Sequence, residues 1–107
     1  MLSRKYRLPR GEIEKLKSQK GRILQGNLFG LLFQKDSGES KFALIVSNKV
    51  VEKSTERNRI KRLFYQAVEK ELLGINGKFL FLAKKKITTA TPESLRTELL
   101  FFKKKVT

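Results

Sequence analysis

The stretch Lys53-Ser54-Thr55-Glu56-Arg57-Asn58-Arg59-Ile60-Lys61-Arg62-Leu63-Phe64-Tyr65 opens the most strongly periodic segment of this chain. From its middle onward, the apolar residues follow the spacing of one buried helical stripe: Ile60, Leu63, Phe64, Ala67, Val68 and Leu72. Ser54 or Thr55 can cap the start of such a helix, and Gly74 lies just past its end. The segment therefore predicts a long amphipathic helix at the centre of the fold.

The polar face of this helix carries its charges in an unusual order. Its first two turns are basic and its far end is acidic: Arg57, Arg59, Lys61 and Arg62, then Glu69 and Glu71. A helix favours acids at its N-terminus and bases at its C-terminus, so each misplaced charge costs about 0.3–1 kcal/mol. An ordinary solvated face would show mixed charge or the opposite bias. The pattern predicts a helix end at which amides and cationic side chains together receive phosphates.

The composition also indicates a polyanionic partner. The chain has 107 residues, enough for one domain with a modest core, and carries 25 Lys and Arg against 10 Asp and Glu, a net charge of +15. Such charge repels itself in a compact domain unless an anion compensates it. Nucleic acid fits better than a membrane, because the longest apolar runs, 28–33 and 79–83, are only as long as strands.

Several residue types that enzymes use are missing from the sequence. The chain has no His and no Cys, so it lacks the commonest general base, the thiol nucleophile and the usual zinc ligands. Its carboxylates are scattered rather than clustered. A self-sufficient nuclease is therefore disfavoured, and no catalytic or metal-binding residue is predicted. The absence of Cys and of an apolar N-terminal segment favours a cytoplasmic protein.

The remaining elements follow from local patterns. In chain order, we expect a flexible basic arm at 1–7, a short helix at 8–20, strands at 28–34 and 41–50, the central helix, a strand at 78–83, and a helix from Thr91 to about Lys103. The order α-β-β-α-β-α predicts a small α+β sandwich and a single RNA-binding domain at 1–107. The turn at 36–40 predicts a hairpin between the first two strands. The strand at 78–83 is almost wholly apolar and should be interior.

Two phenylalanines on the first strand allow two interpretations. Phe29 and Phe33 lie on the same side of an alternating strand. Strand faces usually alternate between core and solvent, so the simpler interpretation is that both rings belong to the core. The alternative is an exposed surface that stacks on bases of single-stranded RNA.

A second motif lies directly before the central helix. Val46-Ser47-Asn48-Lys49-Val50, followed by Glu56-Arg57-Asn58-Arg59-Ile60-Lys61-Arg62-Leu63, resembles the signature of the bacterial ribonuclease P protein component. In that family, a strand ending in Ser/Ala-x-Lys leads into a helix carrying Arg-Asn-Arg-x-Lys-Arg. The resemblance covers the whole chain in element order and length. It also implies a left-handed β-α-β crossover through the central helix, which the general rules of topology disfavour.

The resemblance carries expectations about function. Family members assist a large catalytic RNA, with bound Mg2+, in the endonucleolytic removal of the 5′ leader from precursor tRNA. The implied partners are the ribonuclease P RNA and precursor tRNA, with no DNA, membrane or protein oligomer expected, and the Mg2+ is held mainly by the RNA. By motif position, the residues expected to bind RNA are Arg57, Asn58, Arg59, Lys61 and Arg62, extended by Lys49 and Lys53.

Contacts to the leader are less well defined by the resemblance. The family's first helix usually presents aromatic residues to the leader, but 11–20 contains none, and Ile13 and Lys17 occupy that region. We therefore expect stacking to be weaker there or to be supplied from the sheet by Phe29 or Phe33. A ribosomal or other structured-RNA-binding protein without a nuclease role stays as the alternative, because charge and fold class alone do not exclude it.

Overall fold

The computed structural model describes residues 4–18, 21–35 and 38–107. Its main elements are α1 (Arg10–Ser18), β1 (Arg22–Gln25), β2 (Phe29–Gln34), β3 (Ser40–Ile45), α2 (Ser54–Glu71), β4 (Gly77–Ala83) and α3 (Pro92–Val106), with short 3₁₀ turns at Arg4–Tyr6 and Lys85–Thr89. This order confirms the predicted α+β class and adds one strand to it. The first three residues of the predicted arm, the end of the first predicted helix and part of the predicted 36–40 turn lie outside the described residues.

The four strands form one sheet in the order β1-β2-β4-β3. Strand β4 is antiparallel to β2 and parallel to β3, so the prediction that it is interior is confirmed. The predicted hairpin between β2 and β3 is wrong, because β4 lies between them. An almost wholly apolar strand needs neighbours on both sides, and β4 obtains β3 as a parallel neighbour through the crossover helix α2.

Strand β1 was not expected from the sequence. It has only four residues, pairs with β2 alone, and exposes most of its length, including Ile23 at 66%. A short strand at the edge of a sheet buries too little to show the alternation of a half-buried strand. The chain returns into β2 through Gly26, whose amide donates to the carbonyl of Phe29.

The two faces of the sheet bury different cores. The larger core lies between the sheet and helices α2 and α3, and it contains six fully buried phenylalanines: Phe29, Phe42, Phe64, Phe79, Phe81 and Phe102. Helix α1 lies on the opposite face, where Leu16 packs with Leu80 and Ala43. The predicted apolar stripe of α2 is confirmed, since Ile60, Phe64, Val68 and Leu72 are buried.

The interpretation of Phe29 and Phe33 as an exposed stacking surface is corrected by this packing. Phe29 is 0% exposed and Phe33 is 5% exposed. Their rings lie 5.2 Å from Phe64 and 4.8 Å from Phe79, measured between centroids. Both side chains point to the large core because α2 and α3 cover that face of the sheet, so neither ring is available to a base.

The described N-terminal residues lie along the free edge of β3. Arg7 forms a parallel bridge with Phe42, and the amide of Leu8 donates to the carbonyl of Phe42 at 2.9 Å. A sheet edge left open can pair with other chains, and this segment covers part of it. The same contact brings Arg7 towards α2.

Helix α3 begins as the sequence predicts. The hydroxyl of Thr91 accepts from the amide of Ser94, while the Ser94 hydroxyl accepts from the amide of Thr91, and Pro92 fills the first turn. The helix extends to Val106, three residues beyond the predicted end. Leu95, Leu99 and Phe102 face the core as expected: Leu95 1%, Leu99 0% and Phe102 0% exposed.

Candidate nucleic-acid interface

Helix α2 begins without a side-chain cap. Its N-cap residue is Lys53, and within the described residues the cap makes no side-chain hydrogen bond. The expectation that Ser54 or Thr55 caps the helix is therefore wrong, because Ser54 is already the first helical residue. Amides in the first turn of a helix have no intrahelical acceptor. The start of α2 is consequently open to an external anion.

Arg57 folds back onto the loop that leads into α2. Its Nη1 donates to the carbonyl oxygens of Val51 and Glu52, both at 2.7 Å. These two bonds fix the path of the chain just before the helix. Arg57 thus orients the start of α2 and keeps part of its guanidinium surface for solvent or a ligand, since the residue is only half-buried.

Arg59 forms an ion pair within the helix. Its Nε and Nη2 donate to the two carboxylate oxygens of Glu56, both at 3.0 Å. The hydrogen bond from Arg59 lowers the pKa of Glu56, and the same bond raises the pKa of Arg59. The pair is exposed, so its contribution to stability is small. Its main effect is to reduce the local positive charge at this position.

Four residues of α2 line a hollow of about 360 Å³ together with Arg7. The helix supplies Asn58, Lys61, Arg62 and Tyr65, which follow one another at the spacing of a single helical face. We call these five residues the α2 hollow. Three of the five are cationic, and none is an acid, so the hollow is suited to an anionic group.

Arg7 and Tyr65 form the inner wall of the α2 hollow. The Arg7 guanidinium lies 5.1 Å from the centroid of the Tyr65 ring, a cation–π arrangement. The Tyr65 hydroxyl accepts from the amide of Leu44 at 3.2 Å, and burial raises the pKa of that hydroxyl. Arg7 Nε is buried and has no hydrogen-bond partner within the described part of the chain. A buried donor without a partner is costly to the folded state.

The structure therefore divides the predicted RNA-binding residues into three groups. Asn58, Lys61 and Arg62 share the α2 hollow. Lys49 and Lys53 are exposed in the loop just before the helix. Arg57 and Arg59 lie on the same helix but hold internal partners.

Two residues of the hollow were missed at the level of sequence. Tyr65 lies seven residues after Asn58 and four after Lys61, so the helical spacing already placed it on the polar face. Tyr65 belongs neither to the apolar stripe nor to the basic cluster, so its place in the sequence indicated no role. Arg7 carried no local signal, because only the pairing of its segment with β3 brings it to the helix.

The residues predicted to contact a leader lie on the α1 side of the sheet or within the core. Ile13 is half-buried against the sheet, and Lys17 is exposed on α1. Helix α1 leaves part of its face of the sheet open, where Leu82 is 37% exposed beside Gly30 of β2. This open area, rather than the phenylalanine side, is the accessible surface of the sheet.

Two further properties bear on the kind of site. Within residues 4–18, 21–35 and 38–107, no three His, Cys, Asp or Glu side chains group together as a metal site would require. In the same ranges, no helix combines the length and the apolar character needed to cross a membrane.

Comparison with protein families identifies the chain. The family model for ribonuclease P matches residues 2–107. The chain belongs to the ribonuclease P protein family. Family membership implies a role in ribonuclease P as a subunit of that ribonucleoprotein, with its RNA as partner.

Solved structures of ribonuclease P proteins share the fold. The protein from Staphylococcus aureus matches with a TM-score of 0.79 and 16% identity, covering 92% of this chain and 93% of that one. The protein from Thermotoga maritima matches with a TM-score of 0.77 and 24% identity, covering 98% of this chain and 99% of that one. No match was found among curated protein sequences.

Proposed function

We propose that this chain binds the catalytic RNA of ribonuclease P and the 5′ leader of precursor tRNA, and so assists removal of the leader by that RNA. The observation that carries the proposal is the α2 hollow, in which Arg7, Lys61 and Arg62 converge. The uncapped start of the same helix lies about two turns before Lys61 and Arg62. Helix amides and guanidinium groups both favour phosphate oxygens. Membership of the ribonuclease P protein family supports the proposal.

The chemistry of the hollow suits an RNA backbone. Arginine is planar and can donate two parallel hydrogen bonds to one phosphate, which lysine cannot match. The Arg7 side chain, which lines the hollow beside the Tyr65 ring, carries further N–H donors for a phosphate oxygen. Asn58 offers both a donor and an acceptor, and so can reach a ribose hydroxyl.

The two arginines outside the hollow take different roles in this proposal. Arg57 holds the carbonyls of Val51 and Glu52, and thereby positions the open helix start while its exposed surface faces RNA. Arg59 is already paired with Glu56 and contributes less. Lys49 and Lys53 are exposed and extend the positive surface towards the loop.

Leader contact is proposed for the α1 side of the sheet. Lys17 is exposed on α1, Ile13 lies at the contact between helix and sheet, and Leu82 offers exposed apolar surface nearby. Recognition there rests on backbone charge and apolar contact, so it should tolerate different leader sequences.

Mg2+ belongs to the RNA in this proposal. The described residues offer no cluster of carboxylates for it. When bound to the RNA, Mg2+ supplies the activated water and the charge stabilisation of the cleavage. The protein's own contribution is to neutralise phosphates and to hold the two RNAs together.

Reconstitution with the ribonuclease P RNA at limiting Mg2+ tests the proposal. We expect the wild-type protein to accelerate leader removal and the protein without RNA to cleave nothing. Arg62→Ala should weaken RNA binding about 5- to 150-fold, the effect of losing about 1–3 kcal/mol of contact. Lys70→Ala is the matched control, because Lys70 is an exposed cation in the last turn of the same helix.

The competing function is that of a ribosomal or other structured-RNA-binding protein. Tighter binding to ribosomal RNA than to the ribonuclease P RNA, with no acceleration of leader removal, would favour it. If Arg62→Ala and Lys70→Ala bind the ribonuclease P RNA with equal affinity, the α2 hollow is not part of the RNA interface.

A further inference from the structure

A second hollow, of about 850 Å³, lies between the β1–β2 turn and helix α3. It shares no lining residue with the α2 hollow. The turn contributes Gln25 and Asn27, and α3 contributes Thr97 and Phe101 along one wall. We call this hollow the α3 groove.

The floor of the α3 groove is held by a buried carboxylate. Glu98 is 8% exposed and accepts from the amides of Asn27, Leu28 and Phe29 at 2.8–3.0 Å. Gly26 fits closely, since a Cβ there would lie 2.8 Å from the Glu98 carboxyl carbon. These contacts fix the turn, so the exposed side chain of Asn27 stands on a rigid base.

One wall of the groove presents an exposed ring among cations. Phe101 is 44% exposed, although it is large and apolar, and the Lys105 ammonium lies 5.7 Å from its ring centroid. Lys86 lines the groove as well, and Lys104 is exposed on the last turns of α3. An exposed aromatic ring flanked by lysines is the arrangement with which proteins hold unpaired bases and their phosphates.

We propose that the α3 groove binds an unpaired nucleotide of RNA. Phe101 stacks on the base, the side-chain amide of Asn27 reaches the base edge, and Lys86 and Lys105 lie at the adjacent phosphates. Charge favours a nucleic acid over a peptide, because three cations, Lys86, Lys104 and Lys105, lie in or beside the groove against two lining acids, Glu93 and Glu98. The Glu98 carboxylate is already occupied by backbone amides.

The remaining acid favours RNA over DNA. Glu93 lines the groove on the same wall as Phe101. A carboxylate repels phosphate, but it accepts a hydrogen bond from the ribose 2′-hydroxyl that DNA lacks. The inference rests on the proposed RNA-binding function and adds a second contact on another face of the chain.

Fluorescence anisotropy with two probes tests the inference on the full chain. The probes are a short single-stranded oligoadenylate and an RNA hairpin with a fully paired stem and a short, structured loop. Phe101→Ala should weaken oligoadenylate binding about 5- to 150-fold, the loss expected for one stacked base, and leave hairpin binding unchanged. Phe101→Trp should retain oligoadenylate binding. Leu100→Ala is the matched control, because Leu100 is the adjacent residue and is 38% exposed.

A second variant tests the groove without altering α3. Lys86→Ala should lower the slope of log affinity against log salt by about 0.7 for oligoadenylate, as expected for one lost phosphate contact. The deoxy form of the probe should bind more weakly than the RNA form. Glu93→Gln should reduce the difference in affinity between the RNA and the deoxy forms of the probe.

The outcomes separate this inference from the proposed function. A wild-type chain that binds neither probe overturns both. If the wild type, Phe101→Ala and Lys86→Ala bind RNA with the same affinity, the proposed nucleotide site in the α3 groove is overturned and the proposed function is not. Contact with a protein partner would then explain the exposed ring. Retention of the Phe101→Ala effect in an Arg62→Ala background shows that the two contacts are independent.

Discussion

The carboxylate of Glu98 allows a quantitative prediction about stability. It lies 8% exposed beneath the β1–β2 turn and is the acceptor for three backbone amides, those of Asn27, Leu28 and Phe29. In Glu98→Gln, one oxygen is replaced by an NH₂ group that faces these donors. One buried amide then loses its acceptor, and the other two bonds lose their charge.

The expected loss follows from these bonds. An unsatisfied buried amide costs about 1–3 kcal/mol, and a bond to a neutral acceptor is weaker than one to a charged acceptor. Relief of the desolvation of the carboxylate offsets part of this loss. We expect Glu98→Gln to lower the free energy of unfolding by about 2–4 kcal/mol, a large part of the stability of a small domain.

Urea denaturation followed by circular dichroism measures this loss. With a slope of about 2 kcal/mol per molar urea, the midpoint should fall by about 1–2 M. Glu93→Gln is the control, because Glu93 is an exposed acid in the first turn of the same helix. If the midpoints of the two variants coincide, the carboxylate does not hold the turn and the reasoning fails.

Three other outcomes are expected from the contacts described. Arg62→Ala should reduce affinity for ribonuclease P RNA more than Arg59→Ala, because Arg59 is already ion-paired; equal losses in a filter-binding titration would contradict this. Burial raises the pKa of Tyr65, so the native state retains that proton longer and stability should decline as the pH rises through the raised pKa. In Tyr65→Phe this alkaline decline, followed by urea midpoints, should be smaller. The hydrogen bond from Lys78, at 2.8 Å, lowers the pKa of Glu12, so its stabilising effect is present above the ordinary carboxyl pKa and is lost as the pH falls through the lowered value. In Glu12→Gln, the free energy of unfolding should therefore fall less steeply as the pH is lowered. An unchanged dependence on acid pH would show that other groups cause the loss of stability.

Local patterns predicted the helices well. The stripe of α2 and the start of α3 depend on neighbours three or four residues apart, and these distances are set by the helix itself. Ile60, Phe64 and Val68 are buried as their spacing required. Thr91 caps α3 because its hydroxyl needs only a partner three residues on.

Strand pairing was less predictable, because it depends on contacts between distant parts of the chain. The turn after β2 suggested a hairpin, yet β2 pairs with β4, which begins more than forty positions later. The side to which Phe29 and Phe33 point is fixed by the helices that cover the sheet. A strand pattern shows that two rings share a face and leaves open which face that is.

In the candidate site, too, positions on one helix were predictable and contacts between distant parts of the chain were not. Asn58, Lys61 and Arg62 were found from their place on one helix, and they do line one hollow. The internal bonds of Arg57 and Arg59 depend on side-chain conformations that residue types do not determine. Arg7 reaches the hollow through a sheet contact, which no local signal announces.

The N-terminal segment that carries Arg7 also closes the outer edge of the sheet. Its pairing with Phe42 occupies backbone groups of β3 that could otherwise form hydrogen bonds with a strand of another chain. Shortening the chain past Leu8 would thus expose a strand edge that can pair with another chain, and it would also remove Arg7 from the α2 hollow. In this protein, the cover of the sheet edge and one wall of the α2 hollow depend on the same few residues.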